Sequence, residues 1–346
     1  MKVLLAKRRA LGDTVLLTST IQLFQEQFPQ AEIHVLVPSA FTAVVEKNPT
    51  VKNTLSYESQ GFFSLVQKIR AEKYDYFFQL HASPGERALR WLSGAKKALA
   101  HRQNAETEVA YGKHPDALEW DRFFLEKVFA KKIPASPMPK LFLSKEENAW
   151  GENFWRAQGA DPKKIIFLGL GASRATKRWP AEHFARFAEL ISERFDFIPA
   201  IVHGAGEEEE QFAGLVADHL RARGFRSSGP VDMAQRFVFV TGLSVRELAL
   251  VISAARAYVG NDSGPKHLAV ALNVPSFTFF GPEDPIEWHP YSREQHPIFF
   301  LQNLLCRKED NGRWCGIPVC ETEQHRCMQN LDPIDALAVF KQRMGV

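Results

Sequence analysis

Short apolar runs alternate with helical-period segments along nearly the whole chain. No other feature of the sequence restricts the fold as much. Lys2 to Ala6 reads as a buried strand. From Thr14 to Phe28, Leu17, Ile21, Phe24 and Phe28 recur at the spacing of one helix face, and Pro29 ends the segment. Glu32 to Val37, Asn53 to Tyr57, Tyr74 to Leu80 and Lys97 to Ala100 read as further strands. Helices near Thr42 to Lys47, Phe62 to Glu72 and Glu86 to Leu92 separate them. Repeated units of this size predict an α/β fold with a parallel, doubly wound sheet.

The alternation lapses once. Lys131 to Lys140 carries Pro134, Pro137 and Pro139 and has no periodicity, so it reads as a linker or a domain-edge strand. A helix over Lys145 to Gln158 follows, and the pattern restarts. Strands are expected at Ile165 to Gly169, Phe197 to His203, Phe237 to Thr241, Tyr258 to Gly260 and Ser276 to Phe280. Helices are expected at Pro180 to Phe195, Glu208 to Arg223 and Pro265 to Leu272, and Ser244-Val245-Arg246-Glu247 is a capping box that opens another. A chain of 346 residues suits two such domains. The boundaries expected are 1–140 and 141–330, with a last helix, 331–346, that is a candidate to pack back on the first domain. Doubly wound domains bind ligands where strands end and loops begin, most readily in a cleft between two of them.

Charge narrows the partners. Forty-three basic against 40 acidic residues leave a net +3, too mild to argue for nucleic acid. The longest uncharged run, His267 to Pro282, is interrupted by Asn273, Pro275 and Gly281, and nothing reaches the length of a membrane span. The apolar stretch after Met1 is too short for a signal peptide. A cytoplasmic protein is therefore expected. A local basic cluster, Lys7, Arg8 and Arg9, is a candidate contact for anionic acceptor groups or for an acidic membrane face, and equally reads as a solvated run.

Four segments at strand ends carry candidate chemistry. Leu11-Gly12-Asp13-Thr14 follows the first strand, and Asp13 reads either as a helix cap or as a catalytic base. Gly169 to Pro180 brings Gly171, Ser173, Thr176, Lys177 and Arg178 to the mouth of a helix. Flexible backbone, hydroxyl donors and cations there would cradle a diphosphate, although the order is not that of a P-loop; a solvated loop is the plain alternative. Gly260-Asn261-Asp262-Ser263-Gly264-Pro265-Lys266-His267 is a strand-to-helix turn. It reads as a capped turn, or as amides for phosphate with Asp262 receiving sugar hydroxyls. His203-Gly204-Ala205-Gly206 leads into Glu207, Glu208, Glu209 and Glu210, where one acid can bind ribose hydroxyls; Glu207 is nearest the turn.

These motifs, in this order, resemble the ADP-heptose–lipopolysaccharide heptosyltransferases, inverting glycosyltransferases built from two Rossmann-like domains (the GT-B arrangement). Gly12-Asp13-Thr14, Lys177-Arg178-Trp179-Pro180, Asn261 to Ala269 and Phe280-Gly281-Pro282 carry the likeness, which covers nearly the whole chain. It implies Asp13 as general base and Ser173 and Lys177 on the donor diphosphate. It also implies Glu207 or a neighbour on the ribose, Asp262 on the transferred sugar, and Gly264 to His267 facing phosphates. Ser263 stands where the family often has Thr, and Lys266 where it commonly has Met, which adds charge near the phosphates. The implied partners are a nucleotide-diphosphate sugar and a lipopolysaccharide core acceptor at the inner membrane, with no cofactor needed for catalysis. A non-catalytic nucleotide-sugar binding protein, or another GT-B enzyme such as a sugar-nucleotide epimerase, is the alternative. No Gly-x-Gly-x-x-Gly follows the first strand, which disfavours a dehydrogenase.

Cys306, Cys315, Cys320 and Cys327 crowd into one stretch with His325 inside it. They read as a structural metal site, a disulfide or free thiols, since no Cys-x2-Cys spacing is present.

Overall fold

A computed structural model gives the architecture. It describes all residues except 59–60, 81–85, 102–114, 205, 228–234, 305, 307–314, 317 and 321–323. The chain forms two compact units, Met1–Phe142 and Leu143–Val346.

The described part of the first unit holds five parallel strands: β1 (Lys2–Ala6), β2 (Glu32–Val37), β3 (Val51–Ser56), β4 (Tyr76–Gln79) and β5 (Lys97–Ala100), in the order β3-β2-β1-β4-β5. Its helices are α1 (Leu11–Gln27), α2 (Thr42–Val45), α3 (Phe62–Ala71), α4 (Arg87–Leu92) and α5 (Glu119–Phe129). The strand order reverses between β1 and β4, where Ala6 pairs with Gln79. That switch point is where a crevice opens at the carboxyl ends of the strands. Helix α1 begins at Leu11, three residues before the expected start. It is buried continuously from Gly12 to Ile21, with the polar side chains of Asp13, Thr14, Thr18, Ser19 and Thr20 included. The Pro-rich stretch lies along this helix: Lys140 N–H donates to Thr18 Oγ1 at 3.0 Å, and Ser19 Oγ donates to the Pro137 carbonyl.

The second unit has six parallel strands among its described residues: β6 (Ile165–Gly169), β7 (Ile198–Val202), β8 (Val238–Val240), β9 (Ala257–Asn261), β10 (Ser276–Phe279) and β11 (Ile298–Phe299). The order is β11-β10-β9-β6-β7-β8, and the reversal falls between β6 and β9. Its helices are α6 (Lys145–Ala157), α7 (Ala181–Phe195), α8 (Glu207–Ala222), α9 (Val245–Ala254), α10 (Gly264–Ala271), α11 (Pro285–Trp288), α12 (Arg326–Gln329) and α13 (Pro333–Met344). Capping boxes at Ser144/Glu147 and Ser244/Glu247 start α6 and α9, as the Ser-x-x-Glu spacing requires.

At the reversal Gly169 and Gly260 sit side by side. A Cβ on either would collide with the fully buried Tyr258 ring. Both glycines therefore make room for an aromatic side chain beneath the turn. The last helix corrects an expectation. α13 packs on α7 of the second unit, and its Phe340 meets Phe277, Phe187 and Phe197 with ring centroids 4.9, 5.6 and 5.9 Å away. It belongs to the core of the second unit.

Candidate active site

In the first unit the chemistry gathers after β1. Ala10 is the N-cap of α1 and offers no side-chain cap, so Asp13 stands at the third helical position. A side chain there leans back toward the helix start. Asp13 is 8% exposed, and burial pushes its carboxyl above the usual carboxylate range. The charges of Lys7 and Arg9 and a backbone hydrogen bond at Ala10 pull the other way, while Asp121 adds to the rise. A carboxylate moved upward in this way is suited to general-base work.

Lys7 is not presented to a ligand, which corrects its place in the expected acceptor cluster. It is 1% exposed, and its Nζ lies 3.0 Å from Asp121 Oδ2. Thr20 Oγ1 donates to the same oxygen at 2.7 Å, and His101 Nε2 lies 2.9 Å from Oδ1. Lys7 and His101 hold the Asp121 carboxyl well below its ordinary value against a strong burial effect. A buried aspartate, a buried lysine and the first helix are thus locked together beside Asp13. Arg8 is exposed and lies over Tyr57, 5.1 Å from the ring centroid. Both line a pocket of ≈ 280 Å³ with Glu58, Phe62, Leu65 and Glu86. Arg9 is exposed.

In the second unit Asn261, the last residue of β9, ties two loops together. Its Oδ1 accepts from Trp179 N–H and its Nδ2 donates to the Leu170 carbonyl, each at 2.8 Å. Trp179 stacks on Phe279 at 3.8 Å, and its indole donates to the Leu331 carbonyl at 2.9 Å. The loop between Gly169 and Pro180 is therefore fixed at both ends by buried groups. Within it Ser173 is exposed, Gly171 half-buried and Thr176 buried, with the Thr176 carbonyl bonded to His325 Nε2. Arg174 is paired with Glu283, and Arg178 with Glu208 at 3.2 Å.

Lys177 is 13% exposed, and its Nζ lies 2.7 Å from Asp262 Oδ2. Asp262 Oδ1 lies 2.5 Å from the Nζ of Lys266, the third residue of α10. Despite burial, these two ammonium groups hold the Asp262 carboxyl well below its usual range. Ser263 precedes α10 without capping it; its hydroxyl turns back to the Asn261 carbonyl at 3.3 Å. Gly264 and Pro265 then open the helix. His267 is buried against Tyr291, which its Nδ1 contacts, and burial together with Lys266 keeps the ring neutral.

Among the four consecutive glutamates the one that turns inward is Glu209. Its Oε2 accepts from Gly204 N–H at 2.9 Å, and its carboxylate borders Gly171. Glu207 is exposed and bonds Gln211 Nε2 one helical turn on, at 3.1 Å. Sequence reasoning took the acid nearest the turn. Glu209 holds the third position of α8, as Asp13 does in α1, and stands beside Glu207 as a candidate. Asp121, His101 and Asn261 were also missed. The cysteines form no disulfide: Cys306 is exposed, Cys315 and Cys320 half-buried, and Cys327 lies in the core beside Met328. Among the described residues no three His, Cys, Asp or Glu side chains are placed to hold a metal ion.

Comparison with known proteins gives the family and the fold. Residues 62–311 match glycosyltransferase family 9 (heptosyltransferase). The chain is 23% identical to lipooligosaccharide heptosyltransferase 2 of Campylobacter jejuni over 96% of its length and 95% of the relative's. Its fold is similar to a family 9 glycosyltransferase from Veillonella parvula, with a TM-score of 0.77, 17% identity and coverage of 99% and 97%. It is also similar to ADP-heptose lipopolysaccharide heptosyltransferase II of Escherichia coli, with a TM-score of 0.72, 21% identity and coverage of 99% and 98%. A family match over most of the chain, on two doubly wound units with their charged side chains at the switch points, makes this protein a glycosyltransferase of family 9, the heptosyltransferases.

Proposed function

We propose that the protein moves heptose, or a related sugar, from an ADP-sugar to a lipopolysaccharide core acceptor with inversion at the anomeric carbon. The observation that carries this reading is Asp13: a carboxylate at the β1 switch point, raised by burial. In the transfer, the acceptor hydroxyl attacks the anomeric carbon as its proton passes to Asp13. The bond from that carbon to the diphosphate oxygen breaks, and ADP leaves with the electron pair. One carboxylate on the attacking side and a leaving group on the other give inversion. The general base contributes roughly 10²–10⁴ in rate.

The second unit holds the donor in this reading. Lys177, with Gly171, Ser173 and Thr176 around it, receives the diphosphate, and the start of α10 from Ser263 to His267 adds its dipole. Asp262 orients the sugar, and Glu209, in place of Glu207, takes the ribose hydroxyls. Arg8 and Arg9 supply the contacts to the acceptor's anionic groups. Membrane contact is peripheral in this reading; no described helix is long and apolar enough to cross a membrane.

The test is ADP release from ADP-heptose in the presence of a core acceptor. Asp13→Asn is expected to lower the rate by about 10²–10⁴ while ADP still binds. A rate within a factor of two of wild type would refute the assignment of Asp13.

A further inference from the structure

We propose that Lys266 is a positioning residue: it remains as the counter-ion of Asp262 when Lys177 turns to the donor diphosphate, and so keeps the cluster cationic. The inference rests on the donor-site reading of Lys177 above. Lys266 is 0% exposed. Its ammonium donates to Asp262 Oδ1 at 2.5 Å and to the Trp288 carbonyl at 2.8 Å, and lies 4.6 Å from the centroid of Phe280. Those contacts hold it away from any ligand.

A pair made only of Lys177 and Asp262 would be electrically neutral. Binding a phosphate would require Lys177 to leave a buried carboxylate without a partner, which carries a heavy penalty. Lys266 removes that conflict. Two ammonium groups and one carboxylate sum to +1. The more accessible of the two cations can then engage an anion while the inaccessible one stays on Asp262.

The experiment measures ADP and adenosine affinity by calorimetry for wild type, Lys266→Met and the double variant Lys266→Met/Asp262→Asn. Methionine keeps the length of the side chain and removes the charge. Lys266→Met is expected to weaken ADP by roughly tenfold or more and to leave adenosine unchanged within a factor of two. The double variant, which also removes the stranded carboxylate, should recover most of the ADP affinity, a result a merely structural lysine would not give. It also tests the idea if the single variant does not fold. Equal ADP affinity in wild type and Lys266→Met, or a double variant no better than the single, would overturn the proposal. Wild type that binds adenosine and ADP equally would instead remove the donor-site reading on which it stands, and the proposal with it.

Discussion

Replacing Lys7 by methionine probes the first-unit site most sharply. The substitution keeps the aliphatic stem and removes the ammonium group that sits 3.0 Å from Asp121. Asp121 is then left almost wholly buried, with Thr20 and His101 as its remaining bonded neighbours among the described residues. Stranding one member of a buried ion pair costs about 3–5 kcal/mol. In a unit of this size that lowers the melting temperature by on the order of 10 °C. Lys7→Met/Asp121→Asn removes the stranded charge and should regain more than half of the loss.

The same variant tests the base. Lys7 is the strongest of the influences that lower the Asp13 carboxyl, so its removal moves that carboxyl further up. A general base works only when deprotonated, and activity appears as the pH rises through its pKa. The acid limb of kcat/KM should therefore shift to higher pH in Lys7→Met. The assays are thermal melts followed by circular dichroism, and ADP release across the acid range. A loss below about 1 kcal/mol, a double variant no more stable than the single, or an unmoved acid limb would refute the reasoning.

Two further predictions concern the second unit. Asn261→Leu leaves the Trp179 N–H and the Leu170 carbonyl without their side-chain partner; at about 1–3 kcal/mol for each buried group, the unit should lose roughly 2–6 kcal/mol and bind ADP poorly, as read by urea unfolding and calorimetry. Glu209→Gln should raise the donor KM several-fold while Glu207→Gln leaves it unchanged, and the opposite ranking in steady-state kinetics would restore Glu207.

The fold was legible because its strands are short apolar runs separated by helical spacing, the pattern a sheet covered on both faces imposes. What escaped was either too short to show a period, as with the two residues of β11, or α5, whose start is marked only by Asp116 accepting from the Leu118 and Glu119 N–H groups. Within the candidate site, Asp13, Lys177 and Asp262 stood out in the sequence because each belongs to a segment that carries a strand into the next helix.

The rest depended on contacts remote in sequence. Lys7 belongs to a basic run that reads equally as an anion contact or as solvated, and its pairing with Asp121, far along the chain, accompanies its burial. Glu207 and Glu209 are chemically identical neighbours, and only their places at the helix start distinguish them. Asp13, Glu209 and Lys266 all occupy the third position of the helix after a strand. Side chains there point back over the turn, so this one geometric rule would have picked all three. The cysteine spacing left a metal site, a disulfide and free thiols open; the fold has free thiols, with Cys327 in a hydrophobic core and Cys306 at the surface.

The most direct test of the account is the stereochemistry of the product. Wild-type protein incubated with ADP-heptose and a core acceptor should yield a heptosyl product whose anomeric configuration, read by proton NMR, is opposite to that of the donor, and Asp13→Asn should yield almost none. A product that retains the donor configuration, or one that forms at the wild-type rate without the Asp13 carboxylate, would contradict it.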